Sequence, residues 1–86
     1  MPYIAQKRRD MLDAHIKKIA ELIDMEQRAG ELNYTITKLM LALAGEARYK
    51  DINELIGALE AAKLEFYRRK AAPYEDAKIK ENGDVY

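Results

Sequence analysis

The chain has 86 residues, with fifteen basic and fifteen acidic side chains that cancel to zero net charge, the size of one domain near the lower limit for a self-built core. It has no cysteine, which excludes disulfides and thiolate metal sites, and no serine, which leaves only Thr35 and Thr37 among the usual hydroxyl or thiol nucleophiles. Cancelled charge also argues against nucleic acid as the partner, because phosphate-led binding calls for a positive excess.

The opening stretch "MPYIAQKRRDML" has no apolar core of the signal-peptide type. No run approaches the ~20 apolar residues of a membrane span, so the chain reads as soluble and cytoplasmic, with no membrane partner. The cations Lys7, Arg8 and Arg9 precede the first predicted helix and read as a solvated arm, with Arg8 and Arg9 as candidates to clamp an anion.

Periodicity predicts an all-α fold of three main helices. The first covers about 9–28, where Leu12, Ile16, Ile19 and Ile23 make one apolar stripe with His15, Leu22 and Glu26 at its edge. Asp10 suits its start and Gly30 its stop. The second covers about 31–44, with Leu32, Ile36, Leu39, Met40 and Leu43 inward and Gly45 as its end. His15 reads as a boundary histidine, since neither cysteine nor a second histidine could complete a metal site. Met11, Met25 and Met40 read as gap-fillers.

The third helix covers about 52–80, opened by "DINE" as a capping box with Asp51 at the N-cap and Glu54 reaching back. Its stripe is Ile52, Leu55, Ile56, Leu59, Ala62 and Phe66, and an unbroken α phase adds Pro73, Tyr74 and Ala77. At ~1.5 Å per residue such a helix is roughly 40 Å long, more than a globule of this size covers. It is therefore either kinked or split at Pro73 or covered by a second subunit, and the kink is the expectation here. "MPYI" and "GDVY" read as short extended arms able to pair as a ribbon or dock.

In that phase Lys63 and Lys70 fall inside the apolar stripe, flanked by Phe66, Tyr67 and Tyr74, with Arg69 at one edge and Arg68 turned to solvent. The lysines either snorkel along their methylene stems or meet an anion while the tyrosines offer stacking faces. On the other side Leu64, Ala61 and Ala71 make a weaker strip that, with the overlong helix, points to self-association. The carboxylate pairs Asp10/Asp13, Glu21/Asp24 and Asp51/Glu54 have helical spacing, as in Mg²⁺-dependent nucleotide pyrophosphohydrolases. They read instead as solvated faces and caps, since that chemistry needs four carboxylates converging on one cleft.

The block "INELIGALEAAKLEFYRRKAAPYEDAKIKENGDVY", with "MPYI" and "GELNYTITKL", resembles a family of small helical proteins encoded mainly by bacteriophages and prophages. The resemblance covers nearly the whole chain and carries no catalytic residues. It implies a phage accessory protein in the bacterial cytoplasm. By analogy with small phage proteins that sequester nucleotide signals, the expectation is a non-enzymatic homo-oligomer, without cofactor or metal. Its ligand would be of cyclic dinucleotide or ADP-ribose type, held by Lys63, Tyr67, Arg69, Lys70 and Tyr74 with Arg8 or Arg9. The alternatives are a protein-interaction module acting on a host protein and a Mg²⁺-dependent nucleotide pyrophosphohydrolase.

Overall fold

The computed structural model describes residues 3–86. It is all-α: α1 Gln6–Leu22, a 3₁₀ turn Met25–Gln27, α2 Arg28–Ala44, α3 Tyr49–Phe66, a π turn Tyr67–Ala71 and α4 Ala72–Asn82. The chain divides into two units, one through Arg48 and one from Tyr49 onward. No helix is long and apolar enough to cross a membrane.

In the first unit the expected start at residue 9 moves back to Gln6, because the chain turns helical directly after the extended Ala5. The amides of Arg8 and Arg9 donate to the Ala5 carbonyl at 2.9 and 3.1 Å, and Gln6 donates its side-chain amide to Asp10 at 2.8 Å. Lys7, Arg8 and Arg9 are thus part of the first turns rather than an arm before them. The Arg9 Nε donates to the Ile4 carbonyl at 2.8 Å, and so fastens the incoming chain to the helix.

The expected end near Arg28 also moves, to Leu22, because Ile23 is extended. Asp24 then opens the next element by accepting the Glu26 amide at 3.0 Å, while its own amide donates to the Glu31 carboxylate at 2.9 Å. This exchange satisfies amides that a helix start otherwise leaves open. Gly30, expected as a stop, lies inside the first turn of α2 instead. Gly45 does end α2, at a positive φ of 55° that favours glycine, with its amide on the Leu41 carbonyl at 3.3 Å.

The second unit is one unbroken run of helix from Tyr49 to Asn82. It starts three residues earlier than expected, so Asp51 sits in the first turn rather than at the N-cap, where its charge still complements the helix dipole. The irregularity expected at Pro73 appears one turn upstream as the π turn. Proline lacks an N–H, and its ring collides with the carbonyl four residues back, here that of Arg69. Widening the turn relieves that collision: the Ala72 amide bonds to the Tyr67 carbonyl, five residues back instead of four.

One extra residue in a turn shifts everything after it. In a regular helix Tyr67 and Glu75 would lie about 80° apart around the axis; absorbing one residue brings them to within about 20°. The Tyr67 hydroxyl donates to the Glu75 carboxylate at 2.8 Å, as only the shifted phase allows. The same shift moves Pro73 off the apolar stripe, which Tyr74 and Lys78 continue, and carries Ala71 away from Leu64 and Ala61. Gly83, at φ 85°, ends the helix with its amide on the Ile79 carbonyl at 2.8 Å. Beyond it the Tyr86 amide donates to Asp84 at 2.9 Å. No strand forms among the described residues, so the ends stay extended or irregular there; Met1 and Pro2 of the "MPYI" arm lie outside the described residues.

The stripes do not become a core. No described residue is buried, and Ile52, Leu59 and Phe66 remain 44%, 41% and 69% exposed. In the first unit α1 makes no close backbone approach to α2 among the described residues.

Candidate functional site

The cations and aromatics of the long helix are bonded mostly along the helix itself. Lys63, expected inside the apolar stripe, reaches back to Glu60 at 2.9 Å with its side chain 68% exposed. This is an exposed i,i+3 ion pair on the helix surface. Glu65 takes two guanidinium groups, Arg68 at 3.0 Å and Arg69 at 2.6 Å. Their hydrogen bonds, Arg68's first, hold the Glu65 carboxyl below the usual carboxylate range. All are i,i+3 or i,i+4 neighbours, the spacing at which helix side chains meet.

Around the π turn the tyrosines take different partners. Tyr67 donates to Glu75, and this bond to a carboxylate pushes its phenol above the ordinary tyrosine range. The Lys78 ammonium lies 5.5 Å from the centre of the Tyr74 ring, in cation–π range. Lys70 is exposed, with no hydrogen-bond or ion-pair partner among the described residues.

Of the predicted ligand residues in this unit, Lys63, Tyr67 and Arg69 are each held by a carboxylate of their own helix, Tyr74 by Lys78, and Lys70 stands open. Arg8 and Arg9 belong to the first unit, where the Arg8 guanidinium contacts the Met11 sulfur at 3.6 Å and Arg9 holds Ile4. Sequence reasoning missed Glu60, Glu65 and Glu75 as the groups that organise the segment. The first two were readable from i,i+3 and i,i+4 spacing; Glu75, eight residues from Tyr67, was not, because its reach depends on the π turn.

Asp10 is engaged with Gln6, while Asp24, expected with Glu21 on the solvated face of the first helix, lies beyond the end of α1 and caps the 3₁₀ turn. Among the described residues no group of three or more histidines or carboxylates could hold a metal ion.

What remains unaccounted for is apolar: a continuous helix with several of its charged groups paired along it and its apolar stripe exposed. No curated protein and no solved structure matches the chain. A family model does, over residues 1–85, and the chain belongs to that family, a domain of unknown function (DUF6899).

Proposed function

We propose that this is a non-enzymatic binding protein that works as a homo-oligomer, its helix stripes covered by other chains. One observation carries the reading: no described residue is buried, although α1, α2 and α3 each bear an apolar stripe. Apolar surface gains roughly 25 cal/mol per Å² when it leaves water, and contiguous exposed patches mark interaction sites. The test is sedimentation with thermal melts across a hundredfold range of concentration. A chain completed by association melts at a higher temperature as concentration rises. A monomer whose melting point does not move with concentration would end this reading.

A second reading is that the assembly captures a small anionic nucleotide, such as a cyclic dinucleotide or ADP-ribose derivative. It is favoured by Lys70, which lies open between Tyr67 and Tyr74, and by Arg69, whose partner Glu65 a phosphate could replace. The resemblance to phage proteins supplies the context, a phage accessory protein in the host bacterial cytoplasm. Melting with and without a panel of such nucleotides tests it: a rise of several degrees with one supports capture, and no shift across the panel removes it. The same assembly could instead seat a host protein on its apolar surface, as an interaction module does.

A further inference from the structure

We infer that two copies of this chain meet along one face of the long helix, the seam Ile52, Leu55, Leu59, Ala62, Phe66, Lys70 and Tyr74. The inference rests on the homo-oligomer reading and names the surface that makes it. From Ile52 to Phe66 the seam repeats at alternating three- and four-residue steps, the spacing of coiled-coil contact positions. An uninterrupted repeat would go on to Arg69 and Pro73. The π turn absorbs one residue, so the positions in line become Lys70 and Tyr74, and the Tyr67–Glu75 bond reports that alignment. The seam therefore runs on past Phe66 through Lys70 and Tyr74, instead of meeting the proline.

Helix length argues for a second copy as the occupant. From Tyr49 to Asn82 the helix extends about 50 Å, whereas a compact globule of this many residues is about 30 Å across. Roughly 20 Å of helix thus needs cover from outside its own chain. At the rim of the seam Lys63 is paired with Glu60, and Arg69 shares Glu65 with Arg68, on the same helix. Pairing of this kind lowers the like-charge repulsion that two identical rims would otherwise meet. Ala62 lets the helices approach closely at mid-seam. Lys70, the one charged residue of the seam, then acts as the lone polar contact that fixes register at some cost in stability.

Two alanine substitutions test this, chosen because alanine preserves helix. Leu59 lies on the seam, and Leu64, 56% exposed, lies on the opposite side of the same helix. Sedimentation equilibrium on the full chain should show Leu59→Ala weakening association about tenfold or more, and Leu64→Ala by less than about twofold. Circular dichroism should show both to be as helical as the parent chain. An oligomer weakened equally by both, or only by Leu64→Ala, overturns the seam while leaving the homo-oligomer reading intact. A parent chain that is monomeric at 100-fold the micromolar range, on the order of 0.1 mM, overturns both.

Discussion

Replacing Pro73 by alanine asks whether the π turn is there because of the proline. The substitution restores an N–H and removes a ring that would meet the Arg69 carbonyl, so the turn Tyr67–Ala71 is expected to close to a regular α turn. Every residue after it then swings by about 100° around the axis, one α-helical step. Tyr67 and Glu75 separate to about 80°, their 2.8 Å hydrogen bond is lost, and the Tyr67 phenol returns to the ordinary tyrosine range. The stability change is bounded: proline costs about 3 kcal/mol in a regular helix interior, but the wide turn has already relieved the clash. What remains is one missing hydrogen bond, so Pro73→Ala should gain about 1 kcal/mol. The assay is alkaline titration of tyrosine absorbance, with Tyr67→Phe identifying the Tyr67 step, and denaturant melts at a fixed protein concentration. A Tyr67 phenol that stays high in Pro73→Ala would refute the link between proline and π turn, as would a gain near the full 3 kcal/mol.

Other outcomes follow from the same features. Tyr67 is raised in the folded state, so its bond contributes below the ordinary tyrosine range and is lost as pH rises through the folded value; Glu75→Gln should weaken this alkaline limb of the stability profile, read by melts across alkaline pH. Glu65 is lowered, so its contribution is present above the ordinary glutamate value and is lost as pH falls through the folded value. Glu65→Gln should flatten that acid limb, and only slightly, because surface ion pairs are worth little. Gly57, mid-helix with open space where a Cβ would go, should gain about 0.5–1 kcal/mol as alanine, whereas Gly45→Ala should lose about 1 kcal/mol or more at its positive φ, both measured by denaturant melts.

The helical periods were readable from the sequence, and the junctions less so. Gly30 looked like a stop because glycine commonly follows a helix, yet the break came seven residues earlier, where Ile23 is extended and Asp24 caps. The capping signal in "IDMEQ" was present in the residues but outweighed by the apolar spacing that ran on through Ile23. "DINE" suggested an N-cap, but helix from Tyr49 onward left Asp51 inside the first turn. Pro73 was correctly read as a disturbance. Its effect falls upstream, because the ring strikes the carbonyl four residues before it. Carrying an unbroken 100° phase through that point placed Pro73 on the stripe and gave Ala71 to the wrong side. The candidate site suffered likewise: counting cations and aromatics found Lys63, Tyr67 and Arg69, but not the carboxylates that hold them, and no sequence rule pairs residues eight apart.

The ion pairs Glu60–Lys63, Glu65–Arg68, Glu65–Arg69 and Lys78–Glu81 of the second unit lie within its own helix. Asp51 in its first turn and Lys80 in its last complement the helix dipole, against Lys50 and Glu81 in the same turns. Such a segment is preorganised: its backbone is ordered before anything docks on it, so association costs less conformational entropy than it would for a segment that folds on contact. That preorganisation is electrostatic and solvent-facing, and dissolved salt weakens it. Ionic strength thereby acts on the order of the helix through pairs that border its apolar stripe.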